Sequence, residues 1–351
     1  MKRSQTVQPA WWGPLIFFTI VIVGLFYVKW QPYYDRAFVA AAHHSIGSSI
    51  LMGKAASPPA FSWDAALGYA LAYGNAIWKA MVLGLLLGSA VQALIPAEWV
   101  ARVLGRAGLG AAVAGGFLAI PGMMCTCCAA PVVIGLRQRQ ASPGGAIAFW
   151  LGNSVLNPAT LVFMGFVLGW NWVGLRLALG IAMVFGLGYV VNRLAGTTAD
   201  GAGKAVLDQV AADRRSVGAF RRWLEILLRM SILLIPEYVV LVLLLGATRA
   251  WLFPHVGPEI GNTLLWITAF AVAGTLFVIP TAGEVPIVQA MLALGVGVGP
   301  AGALLMTLPP ISVPSLAMVA PSFRLRALTI VTVGVLGFGV AGGLLAVWLH
   351  L

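Results

Sequence analysis

The chain has 351 residues, of which 60% are hydrophobic and only 9% charged, with a formal net charge of +11. An ordinary soluble domain carries about a quarter charged residues, so so few charges exclude a water-facing surface. The basic excess then reads as the loop bias of a membrane protein rather than a nucleic-acid footprint, and no nucleic-acid partner is expected.

The N-terminus is basic at Lys2 and Arg3 and then apolar from Trp11 to Trp30, with no small-residue cleavage site behind it. This predicts a retained first span near 12–30 and an external loop over 31–64. The loop carries His43 and His44, a pair able to deliver or sense metal. Further full spans are predicted near 65–95, 144–169, 172–192, 223–248, 301–320 and 327–349, set against the ~20 residues that cross a bilayer as helix. Two more apolar segments, 107–136 and 261–297, are interrupted by "AIPGMMCTCCAAP" and "VIPTAGEVP". Proline removes a backbone donor and disfavours helix at the residue before it, so each segment is either a bent span or a re-entrant hairpin of two half-helices.

Charge separates these readings. With a cytoplasmic N-terminus and two hairpins, Lys2, Arg3, Arg102, Arg106, Arg137, Arg139, Arg193, Lys204, Arg214, Arg215, Arg221, Arg222, Arg324 and Arg326 fall inside. Lys29, Arg36, Lys54 and Arg249 fall outside, which is 14 against 4. If both segments crossed fully, the tally would be 7 inside and 11 outside. The positive-inside bias selects hairpins.

The first hairpin then starts from the cytoplasm and the second from the outside, as in two halves of opposite orientation. "GGFLAIP" (115–121) resembles "GTLFVIP" (274–280), and "SPGGAIAFWLGNSVLNPATL" (142–161) resembles "GPAGALLMTLPPISVPSLAM" (299–318). The expected organisation is an anchor span and external loop (1–64), a first repeat (65–192), a basic cytoplasmic linker (193–222) and a second repeat (223–351). The fold class is an all-α polytopic membrane protein with about seven transmembrane helices and two re-entrant hairpins. Broken helices of inverted repeats that meet at the bilayer midplane are a transporter architecture.

All three cysteines, Cys125, Cys127 and Cys128, lie at the first break. Irregular backbone at membrane depth is tolerated only where it is buried in protein or lines a wet cavity. A half-helix starting near Cys128–Pro131 would set the thiols at a positive dipole end, which favours thiolates. Three sulfurs within four residues could converge on a soft metal or a trivalent arsenical. Buried cysteine also serves as an inert small hydrophobe.

Glu284 occupies the second break, and Glu237 lies inside a predicted span. Intramembrane carboxylates mark proton or ion sites unless an arginine or lysine such as Arg176, Arg229 or Lys79 pairs with them. Asn153, Ser154, Asn157, Thr307, Ser312 and Ser315 are polar residues in apolar spans, candidates to line a cavity or to make helix contacts. Asn157–Pro158 and the Pro309, Pro310, Pro314 cluster should unwind their spans.

"PGMMCTCCAAP", followed by "GLRQRQASPGGAIAFWLGNSVLNP", resembles the signature of the ArsP/YraQ-type predicted permeases, as does 280–316 in the second half. The resemblance covers most of residues 65–320. It puts Cys125 and Cys127 on the family's cysteine pair and Thr126 at its serine. Cys128 stands where many members have glycine or serine, and "SVLNP" departs from the commoner order. The resemblance implies a permease, in a family that includes exporters of trivalent organoarsenicals.

The expectation is a multi-pass secondary transporter of a bacterial inner membrane, with no cofactor and no nucleotide-binding motif. Its partners would be the bilayer and a small-molecule or metalloid solute. The thiols and the polar residues would bind solute, and Glu284 and Glu237 would couple protons or ions. The alternatives are transport of a soft metal ion or reduced sulfur compound, a membrane redox enzyme using Cys125 and Cys127, and a structural subunit.

Overall fold

The computed structural model describes residues 12–51, 59–195, 219–253 and 257–351. Lys2, Arg3, Lys54, Lys204, Arg214 and Arg215, and most of the 193–222 linker, lie outside the described residues. Every regular element among the described residues is helical. Six helices are long and apolar enough to cross a membrane, or seven if the pair Ala97–Leu104 and Leu109–Gly122, bent by 112°, counts as one span.

The first helix runs further than the sequence suggests. Helix α1 (Trp12–Leu25) passes through a π-helical turn (Phe26–Trp30) into α2 (Gln31–His43). Gln31–Pro32 reads as a stop, yet the chain continues because the π turn re-routes the bonding: the Gln31 N–H donates to the Phe26 carbonyl. The predicted loop therefore begins only at His44, which turns the chain with φ 47°.

Helix α3 (Trp63–Leu94) starts where the Ser62 side chain accepts from the Ala65 N–H. Short α4 (Ala97–Leu104) leads to the first interrupted segment, which is α5 (Leu109–Ala119), a 3₁₀ turn at Ile120–Gly122, and α6 (Thr126–Gln138). The Ser142 N–H donates to the Leu104 carbonyl at 2.7 Å, so the segment ends where it began. It is a hairpin. Next come α7 (Pro143–Val155), α8 (Pro158–Val167) and α9 (Trp170–Leu194).

Helix α10 (Ala219–Leu252) packs along α3 and is followed by α11 (Leu264–Leu276) and α12 (Glu284–Ala293). The Gly297 N–H donates to the Ile260 carbonyl at 2.8 Å, closing a second hairpin by the same device. Helices α13 (Val298–Thr307), α14 (Val313–Val319) and α15 (Leu325–Trp348) complete the chain. Both stretches expected to unwind do so. The span predicted over 144–169 divides at Leu156–Asn157, and that over 301–320 divides at 308–312, where Pro309 and Pro310 cannot supply helical donors.

The two hairpin mouths lie near opposite ends of the molecule. Arg137, on the first hairpin, donates to the Ser322 carbonyl just before α15 begins. Gly299, beside the second mouth, faces Val347 at the far end of the same helix. The two tips meet between the mouths.

Candidate functional site

Helix α6 begins earlier than its proline suggests. Met123 takes a left-handed conformation (φ 48°), Cys125 is the extended N-cap, and Thr126 is the first helical residue. Pro131 sits inside the helix at the cost of one bond, to the Cys127 carbonyl. All three cysteines are free and buried. Residues three apart share a helix face, so Cys125 and Cys128 come together, with their Sγ atoms 2.7 Å apart. Cys127 points elsewhere, its Sγ 3.8 Å from Ser312 Oγ. The expected convergence of three sulfurs does not form. Among the described residues no group of three His, Cys, Asp or Glu is placed to hold a metal ion. The thiol pair the fold makes is Cys125–Cys128 rather than Cys125–Cys127.

Two interactions fix these thiols. Gly84 and Gly88 of α3 let the backbone of α6 approach: a Cβ at Gly84 would stand 2.1 Å from the Cys128 carbonyl oxygen, and one at Gly88 2.3 Å from that of Pro131. The buried Trp150 indole donates to the Thr126 carbonyl at 3.0 Å.

The second tip is built from polar bonds. Its backbone over 277–283 is irregular, with Ala282 in the left-handed region (φ 65°). Two tyrosines of α3 hold it: Tyr69 donates to the Val278 carbonyl, and Tyr73 to the Ile279 carbonyl at 3.1 Å. Glu284 opens α12, where a carboxylate suits the helix dipole. Its Oε1 is 2.6 Å from Arg176 Nη1, and both side chains are almost wholly buried. Arg176 also donates to the carbonyls of Val155 (3.1 Å) and Ser154 (2.7 Å), which lie in the last turn of α7, where the helix supplies no donors. One guanidinium thus binds the end of α7 to the start of α12.

The tips share a pocket of about 10 Å³, lined by Cys125, Ser154, Ile279, Pro280, Thr281, Ala282, Glu284 and Pro309. That is room for about one water. It brings Cys125, Ser154 and Glu284 together, two residues from the first half facing one from the second.

The other sequence candidates divide. Asn157 caps α8, accepting from the N–H groups of Ala159 (3.0 Å) and Thr160 (3.3 Å), and its buried Nδ2 has no partner. Buried Asn153 donates to the Phe149 carbonyl and leaves Oδ1 without a partner. Ser312 and Ser315 form a reciprocal capping box at α14. Thr307 bonds back to the Ala303 carbonyl within its own helix. Glu237 is exposed on α10 and lines neither the small pocket nor the cavity beside it. His44 is exposed, with its Nδ1 2.7 Å from the Phe166 carbonyl oxygen, while its own carbonyl accepts from Gln289.

Sequence reading passes over the first helix's part in the site. Trp30 Nε1 donates to the Pro121 carbonyl in the first tip at 2.8 Å. Lys29 Nζ donates to Thr281 Oγ1 in the second at 3.1 Å, and Lys29, expected at the outer end of the first span, is buried. The π turn carries both. A lysine at the end of an apolar run was the available signal.

The chain matches, over residues 17–193 and 62–347, the sequence profile of a family described as Predicted permease. It is 50% identical over 346 residues to the UPF0718 protein YraQ of Escherichia coli (strain K12), covering 98% of each chain. The chain belongs to the ArsP/YraQ family of predicted permeases. A second relative, the UPF0718 protein MJ0584 of Methanocaldococcus jannaschii, is 32% identical over 114 residues, 31% of each chain. No solved structure matches. Family membership and the apolar helices together make this a multi-pass membrane protein.

Proposed function

We propose that the chain is a secondary transporter of a small thiol-reactive solute in a bacterial inner membrane, with residues 65–192 and 223–351 as oppositely oriented halves joined by the 193–222 linker and the N-terminus in the cytoplasm. The observation that carries this reading is the pocket shared by Cys125, Ser154 and Glu284 at the meeting of the two tips. Irregular backbone at mid-depth is costly and is tolerated only where it is buried in protein or lines a wet cavity, as a solute path would be. The shared pocket is too small for a solute, so this is an occluded arrangement, and transport requires the tips to part.

The sharpest candidate is a trivalent organoarsenical moving outward. A species R–As(OH)₂ exchanges two hydroxyls for the Cys125 and Cys128 sulfurs, releasing two waters as the thiol protons join the departing hydroxyls, and the exchange reverses on release. A reduced sulfur compound is the second reading. A soft metal ion is disfavoured because the third sulfur turns away. Glu284 acts here as half of a neutral pair, and it could exchange a proton only when separated from Arg176.

The test is a sensitivity panel in cells lacking their own exporters, with organic arsenicals, antimonite, copper and zinc. Wild type should protect against trivalent organoarsenicals, and Cys125→Ser, Cys128→Ser and Glu284→Gln should lose that protection, with Cys127→Ser affecting it less. Protection against none of them, with no uptake of a sulfur compound, overturns the proposal.

A further inference from the structure

The charge pattern left four cations, Lys29, Arg36, Lys54 and Arg249, on the side that the positive-inside bias should deplete. Three of them, Lys29, Arg36 and Arg249, line one cavity of about 490 Å³ between the first helix, α3, the end of α10 and the second tip. Among the described residues no aspartate or glutamate lines it. The ion pairs among the described residues are Arg176–Glu284 and Arg221–Glu225, so none of the three has a carboxylate partner there. Lys29 spends its donors on Tyr33 (3.0 Å) and Thr281. Arg36, at the exposed rim, donates to the Ile46 carbonyl at 2.7 Å. Arg249 lies over the Tyr69 ring, 5.4 Å from its centroid, and its buried Nε has no hydrogen-bond partner.

Burying a cation costs several kcal/mol unless a counter-charge compensates. Long side chains can snorkel to the membrane surface, which accounts for Arg36. It does not account for Lys29 and Arg249, which are 4% and 7% exposed. Two buried cations and one at the rim, around open space without an acid, are half of an interaction whose other half is a mobile anion. Pro280, Thr281 and Ala282 line both this cavity and the small thiol pocket, so one short stretch of backbone separates the cations from Cys125.

We infer that the transported solute is a small anion, and that Lys29, Arg36 and Arg249 form its docking site beside the second tip. This rests on the transport reading and puts its second candidate, a reduced sulfur compound, ahead of the uncharged arsenical: the solute carries anionic oxygens for the cations and a soft atom for the thiols, and thiosulfate is the simplest probe.

The decisive experiment follows thermal unfolding of the full purified chain in detergent, titrated at constant ionic strength with thiosulfate, with sulfate, and with an uncharged trivalent methylarsenical. Thiosulfate should raise the Tm saturably. Arg249→Gln should weaken its apparent affinity about tenfold or more, as the loss of a buried charged partner implies. Lys29→Met should do the same while Lys29→Arg restores it. Arg36→Gln, at the rim and without risk to folding, should weaken it less. Cys127→Ser should leave the shift intact. Sulfate should shift the Tm less than thiosulfate, and the uncharged arsenical should show no dependence on Arg249. The inference is overturned if thiosulfate gives no saturable shift in wild type, or an equal shift in Arg249→Gln and Arg36→Gln. The transport reading stands or falls separately, on whether cysteine variants lose protection or uptake in cells.

Discussion

The two hairpins are alike in frame and opposite in the chemistry of their tips. Each is closed at its mouth by one backbone hydrogen bond, each breaks at an Ile-Pro pair, and each holds at its tip one non-glycine residue in the left-handed region, Met123 or Ala282. Such conformations cost about 1–3 kcal/mol and persist where the surroundings over-determine them. The first tip carries sulfur and is set against α3 backbone to backbone. The second carries a neutralised carboxylate and hangs from tyrosine hydroxyls and a lysine. Close packing has no second arrangement at low cost, whereas hydrogen bonds can be exchanged with water or solute one at a time. On the transport reading, the first tip is thus the fixed part and the second the part suited to move.

That contrast can be broken most severely at Arg176. Arg176→Gln should cost about 3–5 kcal/mol, because it leaves Glu284 buried without its counter-charge. Unfolding by denaturing detergent would measure the loss. The double variant Arg176→Met/Glu284→Met should recover most of it, and failure to do so would mean that the bonds to Ser154 and Val155, rather than the charge pair, carry the stability. Next in size is Gly84→Val. It forces a side chain onto the Cys128 carbonyl and should cost about 1–3 kcal/mol by overpacking. The first tip should be displaced with it, seen as faster maleimide labelling of the cysteines. The smallest change is Tyr73→Phe, which removes one hydrogen bond worth about 0.5–1.5 kcal/mol. It should loosen only the second tip, so Cys125 should label faster from the side of the cationic cavity. Unaltered labelling there would show that the second tip is held by packing after all.

Much of this frame was legible in the chain. Run length gave the helices, Pro121 and Pro280 marked the breaks, and the sidedness of arginine and lysine supported a turn back in both interrupted segments. The hidden parts had two physical causes. Pro32 signals a helix end, and only a π turn, which has no sequence signature, carries the helix past it to His43. Thiol pairing depended on where α6 starts: a register beginning at Thr126 puts Cys125 beside Cys128 and turns Cys127 toward Ser312, which spacing alone did not fix. Arg176 was visible as a possible partner of Glu284. Its grip on the end of α7 was not, because those acceptors are main-chain carbonyls that every residue shares.

The closed hairpin mouths bear on how such a chain threads through lipid. Leu104 and Ser142 touch, as do Ile260 and Gly297, so each intervening loop of helix is a detour that returns the polypeptide to its point of departure. Excising either detour would leave every later helix pointing the way it did before. The sulfur-bearing and carboxylate-bearing tips are therefore insertions hung on a scaffold whose sidedness is decided without them.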